Sequence, residues 1–465
     1  MLLALATLPF GCSAVLSFNQ CTTDADCQKL VPDGVAYCSM EHICSTDVPA
    51  DRLCMVDSVS SSNPAAVTIG GLFRLSGADG QKDTDLANAA RLAVSDVNKN
   101  SPRPLRFVVC DTKGDATQAR RALVQAVEKF GAVGFVGPSS SSEVVGLVNG
   151  GENLLTKYNV IVVSGSATSP SITSLADVPS GAGFGLVWRT CASDLLQGKE
   201  LATLIDPTAT HVTSAYVDST YGTGLNSAFS AALGAQFAPG PAPATVSSSF
   251  PEGTMGSAVV SYLLANPVPQ YALLIADADV PSWLEALDSG GTSLSKTQYL
   301  FTDGAKAQSL LDTSASTALL ARVRGTGPAN PDTPAGQDFK TRYRGQFGVD
   351  ATNIAFTSNN YDAVFAMAVA MGALLPGSAV TGSFIADGMS RLSDPTGTSI
   401  DVGPNGFLSA YGMLAMGHSV NLQGASGPID FDPVTGDVLT APIEVWTIDT
   451  TTSPQQFQTV KIDTP

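Results

Sequence analysis

Short apolar runs rich in β-branched residues alternate along this chain with longer stretches whose apolar positions recur at helical spacing. VTIGGLF (67–73) comes first. From about Asp85 to Asn98, Leu86, Ala90, Ala93, Val94 and Val97 then share one helical face. LRFVVC (105–110) precedes a helix from about Ala116, with Ala119, Leu123, Ala126, Val127 and Phe130 in register. AVGFVG, a further helix and VIVV complete the series. Runs of this kind are buried on both faces, so strands alternating with amphipathic helices predict a doubly wound parallel sheet.

A second series begins after Arg189. It predicts a helix near Asp194–Leu204, strand TSAYVD (213–218), a helix after Tyr221, strand TVSSSF and a helix around Met255–Leu264. Strands YALLIA (271–276) and QYLFTD (298–303) close it. A long apolar helix, Tyr361–Leu375, and the strand-like pieces SVNLQGASG, PIDFDP and IEVWTI follow, and the tail after Ser453 reads as loose. The predicted class is α/β, with two doubly wound parallel-sheet lobes.

Composition narrows the function. A chain of 465 residues is too long for one compact core and suits two lobes plus an appendage. The net charge of −17, from 41 acidic and 24 basic residues, leaves no basic stripe for nucleic acid and no polybasic membrane patch. At the start, MLLALATLPFGC is too short to span a bilayer and has the form of a lipoprotein-type signal over 1–12, which predicts lipidation of Cys12 and export. No Lys or Arg precedes the apolar run, and Pro9 and Phe10 depart from the usual cleavage motif.

Cys21, Cys27, Cys38 and Cys44 form a symmetric C-x5-C-x10-C-x5-C set, which predicts a disulfide-stapled module over 13–54. Its connectivity stays open, and a zinc site with His42 is the rival reading. Cys110 and Cys191 both end up near the lobe junction and are the expected remaining pair, leaving Cys54 over. Residues 55–66, containing VSSSNPAA, read as a linker.

Two strands run directly into hydroxyl clusters. AVGFVG leads to Pro138, Ser139, Ser140, Ser141 and Ser142. VIVV leads to Ser164, Gly165, Ser166, Ala167, Thr168, Ser169 and Pro170. Each cluster taken alone is ordinary turn chemistry. Two of them after consecutive strands place hydroxyls and helix N-termini at one carboxyl edge, where an anionic group is held. Catalytic constellations are missing: the three histidines, His42, His211 and His418, are scattered, and no G-x-S-x-G elbow, Walker loop or H-E-x-x-H occurs. GAGFG (181–185) precedes a strand instead of following one, the wrong context for a dinucleotide. The chemistry on offer is binding, with no enzyme activity expected.

Over residues 64–450 the chain resembles the type I periplasmic binding proteins, in the branch of leucine/isoleucine/valine receptors. The resemblance rests on SG (76–77) with AARLAVSDVN (89–98), GPSSSS, SGSATSP, WRT-x3-D-x2-QG (Trp188–Gly198), DSTYGTG (218–224), SNNYDAV (358–364), LQGASGPIDFDPVTGDV and IEVW. It implies three hinge crossings, expected near Val187–Arg189, near Val323–Gly327 and between about Leu408 and Asn421. Lobe 1 would then take 67–187 and 325–408, and lobe 2 would take 188–324 and 409–453. Carried over residue by residue, it implies that Ser139, Ser140, Ser166, Ala167 and Thr168 hold a carboxylate. Tyr221 would pack over the ligand and Asp303 would take its ammonium. Lys82 stands where several relatives carry an aromatic, which leaves the side-chain pocket open. The resemblance further implies no cofactor and no metal, a small amino-acid or amide ligand, and capture by hinge closure. An ABC permease would be the partner, and the membrane would be met through the lipid anchor only, at the periplasmic face of the cell envelope. A ligand-binding sensor without a transport role is the alternative.

Overall fold

The computed structural model describes residues 20–22, 26–27, 29, 37–38, 42–45, 53–77, 79–181, 183–290, 292–375 and 377–464. The predicted signal and Cys12 lie outside the described residues. The chain divides into two compact units, 1–53 and 54–465.

In the first unit, Cys21 pairs with Cys38 and Cys27 with Cys44. Tyr37–Cys38 runs antiparallel to Cys44–Ser45. With these sulfurs in disulfides none is left to bind zinc, and His42 Nδ1 instead lies 3.0 Å from the Cys21 carbonyl.

The second unit holds two large sheets and a small third one. The first is ordered Cys54–Val56, Leu105–Asp111, Val67–Phe73, Gly134–Val136, Ile161–Ser164, Val187–Arg189, all parallel except the first strand. The second is ordered Ala244–Phe250, His211–Val217, Tyr271–Ile275, Gln298–Phe301, Val323–Pro328, Ile443–Asp449, Gln456–Asp463. Its first five strands are parallel and the last two antiparallel. In each lobe the strand order reverses beside the first parallel strand, and such a switch point opens a crevice at the strands' carboxyl ends. These are the α/β lobes predicted from the alternation. Interior strands such as Val67–Phe73 are buried almost throughout, whereas the hydroxyl-rich Ala244–Phe250 is an exposed edge.

The structure corrects four expectations. Cys110 is bonded to Cys54, not to Cys191, which is free and buried. Residues 55–66 are no loose linker. Cys54–Val56 forms an edge strand on Leu105–Asp111, Asp57 N–H donates to the Phe107 carbonyl (2.8 Å), and Ser61 N–H donates to the Leu105 carbonyl (2.9 Å). The third crossing comes later than expected. Thr398–Asp401, Val420–Gly424 and Gly427–Pro428 form a small sheet against the buried helix Thr357–Ala370 of lobe 1. Asp362 of that helix accepts from Ala425 N–H (2.9 Å), Ser426 N–H (2.8 Å) and the Ser426 hydroxyl (2.6 Å). The chain therefore stays on lobe 1 until just before Ile443. Finally, the tail is a strand: Phe457 packs edge-on to Trp446 (5.1 Å), and the Thr459 hydroxyl donates to Glu444 (2.8 Å).

Arg189, fully buried, joins two crossings. Its Nε donates to Asp437 (2.7 Å), and its Nη1 donates to the Ala167 and Ser169 carbonyls (3.3 and 2.9 Å). The hinge and the second hydroxyl loop thus share one guanidinium.

Candidate functional site

The loops leaving the switch point of lobe 1 are fixed by buried aspartates. Asp111 accepts from Leu75 N–H (3.0 Å) and from the Ser76 hydroxyl (2.6 Å), which turns the chain into the helix Gly80–Asn100. One turn in, Asp83 accepts from the Arg74 backbone N–H (2.8 Å), from its guanidinium and from the Ser139 hydroxyl. Gly137 stands at φ 87°, and a Cβ there would meet the Leu72 carbonyl oxygen at 2.4 Å. Only glycine lets the strand break off this sharply into the serine loop.

The two hydroxyl loops are sewn to each other. The Ser164 hydroxyl donates to the Pro138 carbonyl (2.7 Å) and the Ser166 hydroxyl to the Ser139 carbonyl (3.1 Å). Ser141 Oγ accepts from Ser169 N–H (3.2 Å). Several hydroxyls counted from sequence as ligand donors are therefore occupied in holding the loops. The donors that remain sit where Ser141 and Ser142 open a nine-residue helix, whose first N–H groups have no partner within it. Ser140 N–H is taken by Glu143 Oε2 (3.3 Å), and burial pushes the Glu143 carboxyl up to about 8.

A cleft of about 480 Å³, counting the part open to solvent, lies between the lobes. Lobe 1 contributes Arg74, Lys82, Leu86, Ser139–Ser142, Ser166 and Phe356, and lobe 2 contributes Ser219, Tyr221, Glu252, Asp277 and Asp303. Of the residues expected from sequence, Ser139, Ser140, Ser166, Tyr221 and Asp303 are brought together here. Ala167 and Thr168 do not line the cleft and are buried behind it.

The lobe 2 wall is acidic. The Tyr221 hydroxyl is 2.7 Å from Thr302 Oγ1 and donates to Asp303 Oδ1 (3.0 Å). Burial raises Asp303 to about 6, with the Lys82 ammonium pulling the other way and Asp277 adding to the rise. A Cβ at Gly304 would lie 2.4 Å from the Ala276 carbonyl oxygen, so glycine brings this loop against that of Asp277. Asp277 is held below the ordinary carboxylate value despite partial burial (28% of its side chain is exposed): Lys82 Nζ lies 3.3 Å from its Oδ1 and Arg74 Nη1 3.5 Å from its Oδ2. Behind Asp303, Asp194 is fully buried beside the likewise buried Thr168 hydroxyl, whose hydrogen bond favours the ionised carboxyl against the effect of burial. Burial first, then the Asp303 charge, raises Asp194 well above the carboxylate range.

Sequence reading missed Arg74, Asp277, Glu252 and Phe356. Arg74 and Asp277 each follow a strand that borders a switch point (Val67–Phe73 and Tyr271–Ile275), and that position was the available signal. Phe356 carried none. It stands in the left-handed region (φ 72°), uncommon for an aromatic, with its ring 5.9 Å from Lys82 Nζ. The cleft thus has an aromatic beside Lys82, supplied from another element. Among the described residues no helix is long and apolar enough to cross a membrane.

The family profile described as the receptor family ligand-binding region matches residues 85–451. Among solved structures, a leucine-binding protein of Thermotoga maritima is similar, at 18% identity and a TM-score of 0.65, over 86% of this chain and 99% of that one. The branched-chain amino acid transporter substrate-binding protein of Streptococcus pneumoniae, in complex with isoleucine, gives 16% identity and 0.64 over 86% and 99%. A solute-binding protein of an ABC transporter from Rhodopseudomonas palustris BisB5, in complex with 3,4-dihydroxybenzoic acid, gives 12% and 0.65 over 86% and 98%. The lobes therefore have the type I periplasmic binding protein fold. No curated protein sequence matches the chain.

Proposed function

Because the chain belongs to the receptor family ligand-binding region, we propose that it is an extracytoplasmic solute-binding protein that captures an amino-acid-like ligand by closing two lobes over it. The observation that carries this reading is the polarity of the cleft. Lobe 1 presents a helix N-terminus, serines and Lys82, and lobe 2 presents Asp303, Asp277 and the Tyr221 hydroxyl. A zwitterion fits such walls in one direction only, carboxylate toward Ser139–Ser142 and Ser166, ammonium toward Asp303.

In this reading Ser139, Ser140 and Ser166 border the carboxylate, while Ala167 and Thr168 support the loop behind it. Tyr221 covers the ligand and holds Asp303 in place. Closure is stabilised by contacts that only the shut form makes, so ligand shifts an equilibrium already present. The disulfides suit an oxidising compartment. Delivery to an ABC permease and a lipid anchor at Cys12 in the cell envelope belong to the same proposal, and no step in it requires catalysis.

The test is titration calorimetry of the full chain, unfolded and refolded with its disulfides intact to strip bound solute. The panel is amino acids, amides and aromatic acids. Binding of an amino acid, weakened in Asp303→Asn, supports the reading. Binding confined to acids without an amine overturns the role of Asp303.

A further inference from the structure

We propose that Lys82 is a specificity-determining residue: laid across the lobes, it walls the cleft off from an adjoining chamber and confines the ligand to a short side chain. This rests on the amino-acid reading above and adds to it the size of the side chain.

The α-groups of the ligand use up one end of the cleft. With the carboxylate bordered by Ser139–Ser142 and Ser166, and the ammonium by Asp303 and Tyr221, the main lining left for a side chain is Arg74, Lys82, Leu86, Phe356, Glu252 and Asp277. Lys82 crosses that end. It starts from the helix Gly80–Asn100 of lobe 1, and its Nζ donates to Asp277 Oδ1 (3.3 Å) and to the Gly304 carbonyl (3.4 Å) of lobe 2. Gly304 directly follows Asp303, so the lysine ends beside the place assigned to the ammonium.

A second chamber lies on the far side of Lys82. It holds about 830 Å³, counting the part open to solvent, and Gln81, Asp85, Gln308, Asp312 and Ile354 are among its walls. Lys82 and Asp277 line both spaces. Together they form a partition between the two.

The partition is braced. Only 8% of the lysine side chain is exposed, and the Phe356 ring lies 5.9 Å from its Nζ. On the other oxygen of Asp277, Oδ2, Arg74 Nη1 stands at 3.5 Å, itself fixed 2.7 Å from Asp79. A side chain long enough to reach the second chamber has to lift a nearly buried ammonium off both of its acceptors. Losing such a charged hydrogen bond weakens binding by about ten- to a hundredfold. A short side chain leaves the partition intact.

The experiment is calorimetry of the refolded full chain with L-alanine, L-phenylalanine and 4-hydroxybenzoate as probes. Alanine is expected to bind at least about tenfold tighter than phenylalanine. Lys82→Ala joins the two chambers, and this preference is expected to disappear or invert. The loss of the cross-lobe pair weakens closure over both amino acids alike, so their ratio separates the wall from the closure. Lys82→Arg, which keeps a cation able to reach Asp277, is expected to retain the preference. Phenylalanine binding as tightly as alanine to the parent overturns the inference and leaves the amino-acid reading intact. An unchanged preference in Lys82→Ala overturns it as well. Binding of 4-hydroxybenzoate with silence from both amino acids overturns the amino-acid reading itself and the inference with it.

Discussion

The Lys82 ammonium of lobe 1 lies 3.3 Å from Asp277 Oδ1 of lobe 2, with 8% of the lysine side chain exposed. The pair bridges the cleft, so separating the lobes would break it. It draws on the same acidic wall proposed to take the ligand's positive charge. In the proposed function, lobe closure and ligand polarity therefore depend on one set of charges.

Asp277→Asn keeps the shape and removes the cross-lobe attraction of both Lys82 and Arg74. Affinity for the preferred ligand is expected to fall about five- to thirtyfold, or about 1–2 kcal/mol of closed-state stabilisation. Small-angle scattering of the ligand-free variant should give a larger radius of gyration than the parent. An unchanged radius would show that the pair does not hold the lobes together.

Ligand binding should be acid-sensitive. Burial raises Asp303 to about 6, and it has to be ionised to hold an ammonium. Affinity for an amine-bearing ligand is therefore expected to be flat above pH 7 and to fall toward tenfold per unit below about pH 6. A deaminated analogue should lack this limb, and calorimetry across pH separates the two.

Stability should run the other way. Asp303 and Asp79 at about 6, Asp362 at about 7 and Glu143 at about 8 are all raised, chiefly by burial. A carboxyl raised in the folded state binds its proton more tightly there than in the unfolded chain. Its contribution is present below the unfolded value and lost as pH rises through the folded one. The melting temperature of the ligand-free protein should thus drop between about pH 5 and pH 8.5. A rise over that window would contradict the burial of these groups.

The cysteines give a chemical check. Reducing the bond between Cys54 and Cys110, which closes a loop of 56 residues, should cost about 2–4 kcal/mol of stability. Cys191, whose buried thiol is pushed up to about 12, should resist iodoacetamide until the protein is denatured. Peptide mapping that finds Cys110 joined to Cys191 would overturn this pairing.

Much of the fold could be read from the chain because parallel strands buried on both faces leave continuous apolar runs, as in VTIGGLF and YALLIA. The strand Gln456–Asp463 left no such run, because it is an edge strand with mostly exposed side chains. The late third crossing was hidden for a different reason. It depends on the buried Asp362 carboxylate holding Ala425 and Ser426, a contact across 63 residues that no local pattern encodes. In the cleft, the serine loops, Tyr221 and Asp303 were legible from motif and strand position. Their division of labour was not, since the aspartate that engages Ser139 comes from a distant helix.

The polarity of the cleft is tested most directly by one thermodynamic cycle. Calorimetry would compare an α-amino acid with its deaminated 2-hydroxy acid on the parent protein and on Asp303→Asn. The substitution should weaken the amino acid about thirtyfold and leave the hydroxy acid nearly unchanged, a coupling of about 2 kcal/mol between the carboxylate and the ammonium. Equal loss for both compounds would contradict a cleft that reads the ammonium through Asp303.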